Sequence, residues 1–399
     1  MGIGCGEKPI LFVTGRITSA SRESYGGEVS LMAAVRRLGP AWKPHFLVEG
    51  PGPLDTLLRK EGFPVYRMAL EFGRPWRIRR LLCLTRLLNL LYRCKIQLVH
   101  VNLHFHAPFI AAACAAAGIP IVVHVRNMIN HSAAASFRKY DGIICISQAV
   151  RDSLVTRGQM PAAEITDRLW IIPDGRDLSH FRGGDRERVR TEFGFGPATQ
   201  VVGMAARITS MKGQDTFLRM AALVKKQVPA ARFLLAGSTL EKADENYLLE
   251  LQRLVSDLGL QREVIFAGYR DDMPDILAAM DCFVHPSRRG AFVSVLIEAM
   301  ATGLPIVASD VDGIPECVGR DGTAVLMPPD DPVVWADAVV RILADASLAS
   351  RMAERGRERT SGLLDIGPLA QRTAEVLETV YERCHNQETP QAGSTSAGR

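Results

Sequence analysis

The chain has 399 residues, 47% of them hydrophobic and 23% charged, with a formal net charge of +5. At about 150 residues per domain this length makes two to three domains. The composition excludes bulk disorder, and a chain of this size needs neither disulfides nor metals to close a core.

The +5 conceals an asymmetry. Residues 1–150 hold 19 Lys and Arg against 8 Asp and Glu, a balance of +11, whereas residues 151–399 hold 29 against 35, a balance of −6. A basic first part joined to a mildly acidic remainder suggests two modules with different partners. The eight cysteines (5, 83, 94, 114, 145, 282, 317 and 384) form no CxxC pair. Most lie in apolar runs, which reads as buried free thiols in a reducing compartment. The start of the chain offers only about six apolar residues between Lys8 and Arg16, too few for a secretory leader. Gly2-x-Gly4-x-Gly6 precedes the first strand instead of following it, so it is no dinucleotide fingerprint.

Short apolar runs alternate with amphipathic stretches throughout. Strands are expected at Ile10–Val13, His45–Val48, Leu98–Asn102, Ile119–His124, Gly142–Ile146 and Leu169–Ile172. A second series is expected at Val201–Ala205, Arg232–Ala236, Val264–Ala267, Cys282–His285, Pro305–Ala308 and Ala324–Met327. Ile96 to Val125 contains no charged residue, but its Pro108, Gly118 and Pro120 divide it into strand, Ala-rich helix (Phe109–Ala117) and strand, not a membrane span. Two series of short strands separated by helices predict two α/β domains, each a doubly wound parallel sheet. The join is expected near Asp174–Pro197, and the active site in the cleft at the carboxyl ends of both sheets. Residues 387–399 are polar and expected to be disordered.

Between residues 74 and 95 stand seven cations (Arg74, Arg77, Arg79, Arg80, Arg86, Arg93 and Lys95) and no acid. Leu81, Leu84, Leu88 and Leu91 recur at helical spacing on another face. A basic amphipathic helix of this kind suits an anionic membrane surface. An ordinary domain helix, its leucines turned to its own sheet and its arginines solvated, explains the pattern equally well. Nucleic acid is disfavoured, because no aromatic residues interleave the cations in the way stacking modules need.

The densest chemistry lies further on. Arg207 sits at the end of the strand Val201–Ala205, and Lys212-Gly213 precedes a helix starting near Gln214. Two cations at that spacing beside a helix N-terminus suit a diphosphate, although a pair of exposed loop cations reads the same way. The run from Pro286-Ser287 to Glu298-Ala299-Met300-Ala301 reads as a strand end, a small-residue loop and a helix. Within that helix Glu298 is a carboxylate among apolar residues, costly unless paired. A ribose diol could pair with it, and so could a neighbouring Arg or Lys.

Together these residues resemble the family 4 retaining glycosyltransferases of GT-B fold. Gly26-Gly27-Glu28 is similar to the family's glycine pair opening the first helix. Ile171-Ile172-Pro173-Asp174-Gly175, with Asp177 and Phe181, is similar to its hinge. Ala206-Arg207…Lys212-Gly213 is similar to its G-R…K-G. Pro286-Ser287…Glu298-Ala299-Met300-Ala301-Thr302-Gly303-Leu304-Pro305 is similar to its P-S…E-A-M-A-x-G-x-P. The resemblance implies an acceptor-side domain over 1–178 and a nucleotide-sugar domain over 179–366, both Rossmann-like. A C-terminal helix over 367–385 would pack back towards the first domain, before a tail over 386–399.

The resemblance also implies roles. Arg207 and Lys212 would stabilise the leaving diphosphate, and Glu298 would take the ribose hydroxyls. Ser294 and Val295 would offer amides to phosphate, the base would lie near Tyr269 and Arg270, and Gly26 and Gly27 would let the donor approach the backbone. The family's glutamate eight residues before Glu298 is here Gly290, which removes a contact to the donor sugar's hydroxyls. An unusual donor sugar, a substituting neighbour such as Arg289, or reduced activity would follow. Where the family has a histidine after the strand corresponding to Ile119–His124, His124 and Arg126 are joint candidates for touching donor sugar or acceptor. The hinge asparagine is here Asp174. His100, His104 and His106 are read as cleft histidines, not metal ligands. Asp310-x-Asp312 mimics a metal-binding pair, but Arg207 and Lys212 already supply a metal's charge, so no divalent ion or other cofactor is expected.

The function implied is transfer of a hexose-type sugar from a nucleotide-diphosphate donor to a glycan or lipid-linked acceptor. The setting implied is cell-surface polysaccharide or lipopolysaccharide assembly, on the cytoplasmic side and at the inner face of the membrane. The rivals are a nucleotide-sugar-binding protein impaired in catalysis and a GT-B sugar-nucleotide epimerase.

Overall fold

The computed structural model describes residues 7–14, 26–70, 76–102, 107–130, 132, 134–239 and 242–386. The chain divides into two compact units. One comprises Met1–Ile146, Arg151–Ile172 and Pro368–Arg399, and the other Ser147–Val150 and Pro173–Gly367.

The first unit is built on seven parallel strands: β1 (Lys8–Val13), β2 (Trp42–Val48), β3 (Val65–Arg67), β4 (Leu98–Val101), β5 (Ile121–Val125), β6 (Gly142–Cys145) and β7 (Leu169–Ile171), in the order β3-β2-β1-β4-β5-β6-β7. Strands β4, β5 and β6 are buried at every position, which is why they read as unbroken apolar runs. β3 was not expected. It has three residues, half-buried or exposed, at the sheet's edge, and carries no apolar signal. Ile96–Val125 resolves into β4, a helix (Ala107–Ala117) and β5. No helix among the described residues is long and apolar enough to cross a membrane.

The closing helix, Ile366–Asn386, contributes Leu369, Val376, Leu377 and Val380 to a core shared with Ile10, Leu98, Val122 and Ile144. Trp42 Nε1 donates to Glu378 Oε2 at 2.7 Å, and Lys8 pairs with the same carboxylate while lying 4.5 Å over the Tyr381 ring.

The second unit has six parallel strands: β8 (Gln200–Ala205), β9 (Ala231–Ala236), β10 (Val264–Gly268), β11 (Cys282–His285), β12 (Ile306–Ser309) and β13 (Ala324–Met327), in the order β10-β9-β8-β11-β12-β13. Separate cores lie around the sheet. One gathers helices Met273–Ala278, Ser294–Thr302 and Ile314–Val318, and the other gathers Gln214–Gln227 and Pro332–Ala344. The stretch expected to join the domains is woven into this unit instead. Its helix Arg186–Glu192 sends Arg186 and Arg190 to Asp281, whose Oδ2 also accepts the Val201 N–H at 2.7 Å. Charged residues there are structural, so polar composition did not mark a linker. Of the cysteines, 83, 114, 145, 282 and 317 are buried and 94 and 384 half-buried, all as free thiols. Cys5 and residues 387–399 lie outside the described residues.

Gly142 in β6 marks how closely the closing helix packs. A Cβ there would stand 2.9 Å from Val380 Cγ2 and 3.1 Å from Val122 Cγ2. Gly142→Ala is expected to destabilise the protein by about 1–2 kcal/mol through overpacking, seen as a lower urea midpoint. An unchanged midpoint would contradict close packing of this helix on the sheet.

Candidate active site

In each unit the sequence-marked residues follow the carboxyl ends of strands. Tyr269 and Arg270 follow the edge strand β10, and Asp310 and Asp312 follow β12, whereas Arg207 and the helix Ser294–Thr302 flank the point where strand order reverses. In the second unit that point lies between β8 and β11. Arg207 leaves β8 exposed. A short 3₁₀ turn, Ser210–Lys212, follows, and Gly213 opens helix Gln214–Gln227 in the left-handed region with φ 71°. A Cβ at Gly213 would lie 2.1 Å from the Pro286 carbonyl oxygen, so only glycine lets the two loops approach. Ser287 Oγ and the Arg288 N–H both donate to the Met211 carbonyl, at 3.2 and 2.9 Å, and Gln214 Nε2 donates to the Arg207 carbonyl at 2.7 Å. The loop bearing both cations is therefore held from below and from the side.

Lys212 is half-buried. Burial, and then repulsion from Arg207, lower its ammonium to about 8. Beneath it His285 is fully buried, and the same burial, with Lys212 close by, holds the ring neutral. A third cation, Arg288, is spoken for: it pairs with Asp215 at 2.8 Å and Asp330 at 2.6 Å. Two cations thus face the loop's open side, one of them poorly hydrated.

Helix Ser294–Thr302 begins at Ser294 with Val293 as N-cap and no side-chain cap, so the Ser294 and Val295 amides remain at an open helix start. Glu298 lies one turn on. Arg176 Nε is 3.2 Å from Glu298 Oε1, with both side chains mostly buried. Burial raises the carboxyl and Arg176 opposes it. Arg176 is the functional residue the sequence reading missed. It is fixed by a parallel bridge with Asp365, its N–H donating to the Leu364 carbonyl and its own carbonyl accepting from Ile366. The signal was the cost of an unpaired carboxylate in an apolar helix, which demanded some cation.

Tyr269 is 41% exposed after β10. Arg270 bonds to Glu192 at 2.5 and 2.9 Å and to Asp272 at 2.7 Å, so its guanidinium is engaged and only its backbone is left for a base. Asp310 pairs with Arg320 and Asp312 with Arg289. The two carboxylates serve different arginines and do not converge as a metal pair.

In the first unit the reversal lies between β1 and β4. Helix Gly26–Val35 starts there. Arg126, buried after β5, donates through Nε and Nη2 to Asn102 Oδ1 at 3.1 and 3.0 Å. A Cβ on Gly27 would stand 2.7 Å from Arg126 Cδ, so glycine admits the guanidinium stem against the helix start. The two joint candidates separate here. Arg126 occupies the strand end, and His124, inside β5, accepts from Arg126 Nη2 through Nδ1 at 3.2 Å. His100 meets His124 edge to face, 5.8 Å between centroids. Burial and Arg126 lower His100 to about 3 and push His124 well down, so both rings are neutral. Buried Asn102 Nδ2 and Thr14 Oγ1 have no hydrogen-bond partner among the described residues. His104 and His106 lie outside those residues.

Residues 25–180 match the family model described as Glycosyltransferase Family 4, and residues 185–359 match Glycosyl transferases group 1. The chain belongs to this glycosyltransferase family. It is 32% identical over 204 residues to the D-inositol 3-phosphate glycosyltransferase of Nocardia farcinica, covering 49% of this chain and 44% of the relative. It is 28% identical over 253 residues to the lipopolysaccharide core biosynthesis mannosyltransferase LpsB of Rhizobium meliloti, covering 62% and 71%. The chain spans about half the length of the D-inositol 3-phosphate relatives it matches. Among solved structures, Anabaena Alr3699/HepE in complex with UDP superposes with TM-score 0.80 at 22% identity, covering 93% of this chain and all of that one. WaaG, a glycosyltransferase involved in lipopolysaccharide biosynthesis, gives 0.67 at 15% identity, covering 92% and 99%. These likenesses show the fold, two Rossmann-like domains of GT-B type.

Lys212 should make the anion affinity of the second unit depend on pH. In the free protein the ammonium is protonated below about 8. Affinity for a nucleoside diphosphate should hold to that point and weaken as pH rises through it, because binding must then take up a proton. Stability of the free protein runs the other way. The folded value lies below the unfolded 10.5, so the unfolded chain binds more protons between 8 and 10.5 and stability rises with pH there. Lys212→Arg should abolish the alkaline loss of binding in calorimetry, and an unchanged profile would exclude Lys212 as the anion's partner.

Proposed function

We propose that the protein is a retaining glycosyltransferase that moves a sugar from a nucleotide-diphosphate donor to a glycan or lipid-linked acceptor in cell-surface polysaccharide or lipopolysaccharide assembly. The observation that carries this reading is the poorly hydrated Lys212 beside Arg207, at the strand end of β8 in a unit that also offers the uncapped start of helix Ser294–Thr302. Family membership and the likeness to LpsB support the same direction.

In this reading the donor's diphosphate lies against Arg207, Lys212 and the Ser294 and Val295 amides. Glu298 accepts hydrogen bonds from the ribose hydroxyls, and Arg176 opposes the upward shift that burial gives its carboxyl. The bond between the sugar's anomeric carbon and the diphosphate oxygen breaks as the acceptor oxygen bonds to that carbon from the same face. The acceptor's proton passes to the departing oxygen. The growing charge sits on the diphosphate, where two fixed cations act without reorganising, and no divalent ion is required. Arg126, Gly26 and Gly27 would receive the transferred sugar or the acceptor at the strand ends of the first unit.

The same reading puts the enzyme at the inner, anionic face of a membrane. Helix Trp76–Arg93 buries Cys83, Leu87 and Leu91. It exposes Leu81, Leu82 and Tyr92 on the turn-spaced face that also carries exposed Arg86 and Arg93. Apolar and basic groups on one solvent face, with no acid, match an anionic lipid surface.

Arg207→Ala should lower turnover by about 10²–10³-fold, the scale for losing one preorganised group opposite developing charge. A wild-type rate in that variant would sink the assignment. Vesicles containing phosphatidylglycerol should retain the wild-type protein in flotation and lose an Arg79/Arg86/Arg93→Glu triple variant. Equal flotation of both would remove this helix as the membrane contact.

A further inference from the structure

Two features singled out in the sequence, the glycine at 290 and the aspartate at 312, meet in the structure. The Gly290 N–H donates to Asp312 Oδ2 at 3.1 Å, and Arg289 Nε donates to the same oxygen at 3.2 Å. The Gly313 N–H in turn donates to the Gly290 carbonyl at 2.9 Å. Asp312 therefore carries its carboxylate onto the backbone of position 290. Its side chain is only 13% exposed, and Oδ1 accepts no hydrogen bond from any described residue.

The backbone is arranged for this placement. Asp312 has φ 48°, in the left-handed region that most side chains avoid and aspartate tolerates. Gly313 is packed so that a Cβ would fall 1.8 Å from the Ala291 carbonyl oxygen. At Gly290 a Cβ would meet Val293 Cγ2 at 3.0 Å and two Ile314 carbons at 3.1 Å. A carboxylate growing from 290 would need Val293 and Ile314 to give by a few tenths of an ångström. One arriving from 312 does not. Non-glycine residues held at positive φ cluster where the strain serves a site, and here the strained residue is the one that delivers an acceptor with a free oxygen.

We propose that Asp312 determines donor specificity: its free Oδ1 accepts hydrogen bonds from hydroxyls of the donor sugar, in place of the glutamate that the resemblance places at 290, while Gly290 and Arg289 hold Oδ2. This rests on the donor reading above. A carboxylate accepting from neighbouring hydroxyls selects a neutral sugar over one with an anionic group at that place, because like charges would be forced together.

The test compares UDP, GDP, UDP-glucose and GDP-mannose as probes, by calorimetry, for the wild type, Asp312→Asn, Asp312→Gly and the Gly290→Glu/Asp312→Gly double variant. The wild type should bind one nucleotide sugar more tightly than its parent nucleoside diphosphate. Both single variants should lose that gain, weakening the sugar nucleotide by roughly tenfold, as for a lost hydrogen bond to a charged group. Their affinity for the parent diphosphate should stay the same, which also reports that the variants are folded. The double variant should recover part of the gain. If the single variants keep the full gain, Asp312 does not touch the sugar and the assignment falls while the donor reading stands. If the wild type binds none of the four probes, the donor reading falls and the assignment with it.

Discussion

The constraint on which the second unit turns is a lysine that water does not fully reach, next to another cation. Burial and repulsion together lower Lys212 to about 8, so its charged form is disfavoured in the free protein. A chain gains nothing for its own stability from such a placement. The loop that holds it is nevertheless fixed by Gly213, Ser287 and Gln214. Geometry that concentrates positive charge at a strand end, and keeps it there, is geometry prepared for an anion. The uncapped helix at Ser294 adds partial positive charge of the same sign to the same unit.

Around that centre, the surrounding charges are neutralised pair by pair. Arg288 is absorbed by Asp215 and Asp330, Arg270 by Glu192 and Asp272, Arg320 by Asp310, and Arg289 by Asp312. Exposed pairs of this kind contribute little stability each. They engage the neighbouring guanidiniums, whereas Arg207 and Lys212 form no ion pair among the described residues. Glu298 is the reverse case, a carboxylate too buried to stay ionised cheaply. Arg176 lies within ion-pair distance at 3.2 Å, but its Nε makes no hydrogen bond. Arg176 opposes the effect of burial on the carboxyl without a hydrogen bond through its Nε.

Much of this was legible in the sequence, for identifiable reasons. Central parallel strands are buried on both faces, so β4, β5, β6, β11 and β12 announce themselves as apolar runs. β3 lay at an edge and gave no such signal. Arg207, Lys212, Ser294 and Glu298 were readable because loops at strand ends carry them in a fixed order. Arg176 was not, because its partnership with Glu298 depends on a bridge to Asp365 almost two hundred residues away. Nor could the sequence divide the work of His124 and Arg126. Only the strand register puts the histidine inside β5 and the arginine at its end, against Gly27. The Asp310-x-Asp312 pair misleads for the same reason: spacing suggests convergence, and the left-handed turn at Asp312 sends the two carboxylates to different arginines.

The basic helix of the first unit divides its apolar side chains between a buried and an exposed face. Seven cations and many leucines left two readings, because leucines that bury into a sheet are not free for a membrane. The helix holds enough of them for both. Cys83, Leu87 and Leu91 form the buried stripe, while Leu81 and Leu82 remain exposed, at 62% and 54%, with Tyr92 at 62%. Arg86 and Arg93 share that outer face. Exposed Thr85 and Asn89 lie on the same side. The excess charge of the first part is therefore of two kinds. Arg126 is drawn inward, bonded to Asn102 and His124 beneath a glycine-started helix. Arg80, Arg86 and Arg93 are exposed on the helix beside Leu81, Leu82 and Tyr92. The excess positive charge thus includes a fixed internal cation and an outer basic face that also exposes apolar side chains.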